Sequence, residues 1–151
     1  MPTEQLKSYL DQQGVRYEVI DHAPAFTAQE VAEHAHVSGH HFAKTVAVRI
    51  DDRLALAVLP ATDQVDLEQL RKSTGAKTAE LATEEEFGDR FPGREVGAMP
   101  PFGNLYGMEV FVSPHLVQSD EIAFSAGTHS QAVKLAYSDF VRLVEPAEIR
   151  L

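Results

Sequence analysis

Three short stretches carry the residues best suited to chemistry in this chain: Lys44, the loop Gly97-Ala98-Met99-Pro100-Pro101-Phe102-Gly103, and the turn Gly127-Thr128-His129. Lys44 precedes the apolar run Thr45-Val46-Ala47-Val48. A lysine at the entry of such a strand packs its stem and holds its ammonium near the sheet edge. Glycines in the two loops let backbone N–H groups approach a ligand, because no Cβ blocks the way. Pro100 and Pro101 fix φ and stiffen the first loop, while Phe102, Leu105 and Tyr106 offer apolar walls. A fixed cation beside aimed amides suits an anionic or ester-bearing substrate. Amides of the turn can stabilise an oxyanion, and His129 can position a water or a ribose hydroxyl. Each stretch also has a plainer reading: an exposed lysine, a rigid connection with a hydrophobic anchor, and a hairpin turn.

Other chemistries find less support. His34, His36, His40 and His41 invite a metal reading, and His36 and His40 have the i, i+4 spacing of two ligands on one helix face. Gly39 is expected to end that helix, and no carboxylate completes an HExxH motif, so no metal is expected. There is no GxSxG elbow, Walker A loop or GxGxxG fingerprint, which disfavours serine hydrolase, nucleotide phosphatase and NAD enzyme readings. No cofactor is expected. The chain has no cysteine, which excludes disulfides, thiolate–zinc sites and a cysteine nucleophile.

The elements that must position these residues read as a mixture of hairpins and helices. Thr3 to Gln13 has a helical face of Leu6, Tyr9 and Leu10, stopped by Gly14. Tyr17 to Ile20 is a short strand. Thr27-Ala28-Gln29-Glu30 is a capping box opening a helix that ends near Ser38-Gly39. Thr45 to Ile50 and Leu54 to Leu59 form strands joined by a turn at Asp51-Asp52-Arg53. Asp66 to Thr74 is a helix closed by Gly75, and Thr83-Glu84-Glu85-Glu86 starts another. Arg90 to Gly107 is a long Gly/Pro-rich segment of the kind often tied to function. Val110 to Val112, Glu121 to Ser125 and Ala132 to Ala136 are strands, and Ser138 caps a last helix through Val144. This order argues an α+β fold with a largely antiparallel or mixed sheet.

With 151 residues and 44% hydrophobic content, a single domain spanning 1–151 with a real core is expected. No apolar run approaches the roughly 18 residues of a membrane span. The start of the chain lacks the pattern of a signal peptide, so a cytoplasmic protein with no membrane partner is expected. Thirteen basic and 23 acidic residues give a net charge of −10. That argues against coating long nucleic acid but allows a grip on one RNA end. Glu80, Glu84, Glu85, Glu86 and Asp89 concentrate the acidity in what reads as a solvated face. A monomer is expected, since no coiled coil or self-pairing edge stands out.

Ala43-Lys44-Thr45-Val46, Gly97-Ala98-Met99-Pro100-Pro101 and Phe124-Ser125-Ala126-Gly127-Thr128-His129, in that order, resemble the YbaK-like family. That family includes the editing domain of bacterial prolyl-tRNA synthetases and its free-standing relatives. The likeness runs from about Leu6 to Val144. It implies an α+β domain with a twisted, partly barrel-like mixed sheet flanked by helices. It also implies a trans-editing hydrolase that deacylates mischarged aminoacyl-tRNA, most often a small amino acid on tRNA for proline. Lys44 falls on the family's motif lysine, which holds the terminal adenosine or its phosphate. Gly97 and Pro101 fall on its G-x-x-x-P loop around the amino-acid pocket, with Met99, Pro100, Phe102 and Leu105 as wall candidates. Gly127 and His129 fall on its G-x-H turn near the scissile ester, and Thr45 and Thr128 flank the motif positions. Lys44, Arg49, Arg53, Arg94 and Lys134 would form a basic rim for the acceptor end, with a synthetase as a further partner. The competing reading is a binding module without catalysis that recognises charged tRNA or a synthetase.

Overall fold

The computed structural model of the protein describes residues 2–25, 27–35, 37–83, 99–117, 120–128 and 130–151. Gly97, His129, His36, Arg94 and the helix expected from Thr83-Glu84-Glu85-Glu86 onward therefore lie wholly or mostly outside the described residues.

Among the described residues eight strands form one mixed sheet: β1 (Tyr17–Asp21), β2 (Phe42–Ile50), β3 (Arg53–Pro60), β4 (Ala79–Leu81), β5 (Glu109–Val112), β6 (Glu121–Ser125), β7 (Gln131–Ala136) and β8 (Ala147–Glu148). The order is β1-β7-β6-β2-β3-β5-β8, with β4 paired to β2. The β2–β3 and β6–β7 hairpins are antiparallel, whereas β2–β6 and β3–β5 are parallel. The path ends at β1 and β8, so the sheet is mixed and does not close into a full barrel.

Among the described residues five helices pack on it: α1 (Pro2–Gln12), α2 (Ala28–His34), α3 (Leu67–Thr74), α4 (Pro114–Val117) and α5 (Tyr137–Val144). Pleat alternation divides the core. Ala43 and Ala47 of β2 join a large cluster with Leu6 and Leu10 of α1, Met99, Phe102, Leu116, Phe124 and Phe140. Phe42, on the opposite face, joins Val31 and Ala32 of α2 with Ala123 and Ala132. Val48 and Ile50, on that same opposite face, join Leu70 of α3 with Ala55, Ala57 and Phe111.

The local signals explain most of the boundaries. Thr27 accepts from Glu30 N at 3.1 Å, and Asp66 accepts from Gln69 N at 3.0 Å, so both expected N-caps form. Gly75 closes α3 at φ 70°. Two boundaries differ. α2 stops at His34 rather than near Ser38-Gly39, because Val37 N turns back to Ala32 O and the chain then tightens through His41 N to Ser38 O. Ser138 does not cap α5. It lies in the first turn, and Ala136 holds the cap position without a side-chain bond as β7 runs directly into the helix.

Candidate active site

β2 is covered by β3 along one edge, from Ala43 to Ile50. On its other edge, among the described residues, β6 covers only Phe42 and Ala43, and β4 covers only Val48 to Ile50. Ala82 N takes the carbonyl of Ala47 at 3.0 Å. The stretch Lys44-Thr45-Val46 therefore borders a split between two parallel strands. β6 leaves that split at Ser125 and turns through Ala126-Gly127-Thr128 before β7. Crevices of this kind, at the carboxyl end of a strand that parts from its parallel neighbour, are natural ligand sites.

Lys44 shares its face of β2 with Phe42 and Val46, so it stands between the cluster under α2 and the cluster under α3. It is half-buried. Burial lowers its pKa from the ordinary lysine value, and the Asp63 carboxylate acts in the opposite direction. Asp63 in turn lies 2.6 Å from His115 Nδ1. The Asp63–His115 pair was not legible in the sequence, since no spacing pattern joins positions 63 and 115.

Thr45 faces the other way, toward the cluster that contains Met99 and Ala126. Its hydroxyl is buried and has no hydrogen-bond partner among the described residues, and the same holds for the hydroxyl of Thr128. Two such orphans close to a strand split are unusual, because a buried polar group without a partner costs stability. Gly127 is buried and adopts φ 101°, a region that side-chain-bearing residues rarely occupy. The turn is also a true hairpin, closed by Ala126 N to Gln131 O at 3.2 Å. The structural and functional readings of that turn are compatible.

Met99, Pro100 and Pro101 are all buried. The ring of Phe102 is fully buried in the core. It meets Phe124, Phe140 and Tyr9 edge-on at 5.5, 5.9 and 6.1 Å. It anchors the loop, and Leu105, 36% exposed, keeps an accessible surface. Three residues of the expected basic rim take part in surface ion pairs. Arg49 pairs with Glu80 at 2.8 Å, Arg53 with Glu109 at 3.7 Å and Lys134 with Glu18 at 3.3 Å. Among the described residues no three His, Asp or Glu side chains are grouped to hold a metal. An open depression of about 530 Å³ at the β1–β7 edge, lined by Arg16, Glu18, Glu121 and Lys134, mixes both charge signs and lies apart from Lys44.

The model of the aminoacyl-tRNA editing domain matches residues 22–143 of this chain. The chain is 30% identical over 148 residues to the multifunctional Ser/Thr-tRNA deacylase ProXp-y of Escherichia coli (strain K12), covering 95% of this chain and 88% of that protein. It is 26% identical over 142 residues to the prolyl-tRNA editing protein ProX of Acetoanaerobium sticklandii, covering 90% and 86%. A solved structure of a proposed trans-editing enzyme for prolyl-tRNA synthetase superposes with a TM-score of 0.86 at 18% identity, over 99% of this chain and 96% of that one.

Proposed function

Because the chain belongs to the aminoacyl-tRNA editing domain family, we propose that it is a deacylase acting in trans on mischarged aminoacyl-tRNA, with Lys44, Thr45 and the Gly127 turn at its centre. The single observation that carries the site assignment is the split between β2 and β6, which Lys44 and Thr45 border and into which the Gly127 turn leads. Lys44 would hold the terminal adenosine or its phosphate. The amides of the Gly127 turn, with His129, would stabilise the oxyanion that forms when water attacks the ester carbonyl. The ribose hydroxyl then leaves with the proton. An aminoacyl ester is already activated, so positioning and charge stabilisation are enough without a protein nucleophile.

The buried hydroxyls of Thr45 and Thr128 favour a small amino acid that itself carries a hydroxyl. A site built to hydrogen-bond a substrate hydroxyl discriminates far more strongly than one methylene of pocket size can. Serine and threonine are therefore the leading substrates in this reading, on tRNA for proline or on their own tRNAs, with alanine and cysteine behind them. A cytoplasmic monomer completes the reading.

The test is a deacylation assay on tRNAs charged with serine, threonine, alanine or cysteine, with wild type and Lys44→Ala. Lysine-dependent loss of one ester supports the reading and names the substrate. Tight binding of charged tRNA with an unchanged ester half-life would replace it with a binding module.

A further inference from the structure

Two exposed imidazoles, His40 of the turn before β2 and His115 of α4, are held by the loop at residues 61–63 that follows β3. His115 Nδ1 donates to Asp63 Oδ2 at 2.6 Å, since an ionised carboxylate can only accept. Thr62 Oγ1 donates to the other oxygen, Oδ1, at 3.5 Å. With its one proton so used, Thr62 Oγ1 accepts from His40 Nδ1 at 3.3 Å. Both backbones are fixed as well: His40 N donates to Ser38 Oγ at 3.3 Å and His115 N to Ser113 Oγ at 3.2 Å. Gly39 lets the two segments meet, because a Cβ there would stand 2.9 Å from Thr62 Cγ2. Leu116, fully buried, seats α4 on the core.

The two rings stand at the entrance to β2. Ala61 N donates to Phe42 O at 2.8 Å, Ala43 lies opposite Pro60, and Lys44 lies opposite Leu59. Ala61 packs in the cluster of Phe42, on the face of β2 that Lys44 shares. As a stability device the arrangement is poor, because the His115 side chain is 72% exposed and such surface pairs contribute little. Its effect is to order two aromatic rings on an open surface. The Nδ1 atoms turn to Asp63 and Thr62, so the ring faces and the Nε2 edges are what the surface offers a ligand.

We propose that His40 and His115 form a stacking platform for the unpaired nucleotides that precede the aminoacylated end of the RNA. The choice of RNA rests on the deacylase reading; the affinity of the platform for an unpaired RNA end is measured without turnover. Histidine is one of the side chains on which splayed bases stack. A net charge of −10 favours this kind of contact, since stacking, unlike phosphate neutralisation, needs no excess of cations. Rings already held by Thr62 and Asp63 lose little freedom on binding, so more of the stacking energy appears as affinity. With its Nδ1 proton committed to Asp63, a neutral His115 presents Nε2 as an acceptor for a ribose hydroxyl or a base amino group.

The test is binding of an uncharged RNA hairpin with an unpaired 3′ overhang, against the same hairpin with a blunt end, by fluorescence anisotropy at fixed salt. Wild type, His40→Ala, His115→Ala and His115→Phe are compared, each shown to be folded by thermal melt. Wild type is expected to prefer the overhang. Each alanine variant is expected to bind it about 10-fold more weakly, the scale of one lost base stack. His115→Phe keeps a ring face and is expected to recover most of that loss, while all four proteins bind the blunt hairpin equally. In turnover of a charged tRNA the loss appears in KM. No preference for the overhang in wild type, equal affinity for it in both alanine variants, or the same loss on both hairpins would overturn the proposal. Histidine-dependent binding of the overhang by a protein that deacylates nothing would uphold it and retire the deacylase reading. Lysine-dependent turnover with histidine-independent binding would do the reverse.

Discussion

The ring of Phe102 stands 5.5 Å from that of Phe124, nearly edge to face, and so ties the loop after Pro101 to the strand that runs into Gly127. Two candidate site loops share one buried anchor. Phe102→Ala is expected to cost about 3–5 kcal/mol, the usual range for emptying a core phenylalanine site. Phe102→Leu is expected to cost less and to leave the amino-acid preference of the enzyme unchanged, because the ring is fully buried in the core. Denaturant melts and the charged-tRNA panel check both. A changed preference in a stably folded Phe102→Leu would return the ring to the pocket wall.

Thr45→Val tests the orphan hydroxyl. The swap removes a buried polar atom that has no partner among the described residues, so the melting temperature is expected to hold or rise. If that hydroxyl meets the substrate, turnover of a seryl or threonyl ester falls by about 10- to 100-fold, the scale of one lost hydrogen bond to a buried group. Turnover of an alanyl ester is expected to change little. Equal losses on seryl and alanyl esters would show that Thr45 shapes the site without reading the side chain.

What the sequence made legible follows from range. α3 could be read because its cap and stop, Asp66 and Gly75, are local. The β2–β3 hairpin could be read because its apolar runs and turn are adjacent in the chain. β4 and β8, three and two residues long, were missed because pairing to distant strands, not their own composition, makes them strands. α4 was missed because four residues hold no periodicity. At the site, Lys44 and the Gly127 turn were visible as residue types in order. The direction of Phe102 was not, because an aromatic after two prolines fits a wall or an anchor equally well until the opposing rings are known. Asp63 and His115 were not visible because their meeting is purely tertiary.

Gly127→Ala separates the hairpin role of the turn from its proposed catalytic role. At φ 101° an alanine is strained by about 1–3 kcal/mol, so the melting temperature should fall. If the turn's amides face the oxyanion, kcat falls well beyond what the lost stability explains, by about 10²-fold, with KM little changed. Assays well below the melting temperature separate the two effects. A variant that is less stable but fully active would leave the turn a structural hairpin.

Lys44→Met asks whether the half-buried cation is kept at the expense of stability. Burial is the larger influence on Lys44 and lowers its pKa in the folded protein below the ordinary 10.5. Below the folded value the lysine is charged in both states, and the full penalty of burying the charge weighs on the fold. Between the folded value and 10.5 the unfolded chain binds more protons, so wild-type stability rises with pH through this contribution. Above 10.5 both states are neutral and the penalty is gone. Methionine carries a similar stem and no charge. Lys44→Met is therefore expected to be more stable than wild type at pH 7, with the difference narrowing toward pH 10.5, while deacylation falls by about 10²-fold or more. Thermal melts across this range check the sign. A difference that is negative at pH 7, or that stays constant as the pH rises, would mean that the lysine stem contributes to packing more than the charge opposes it.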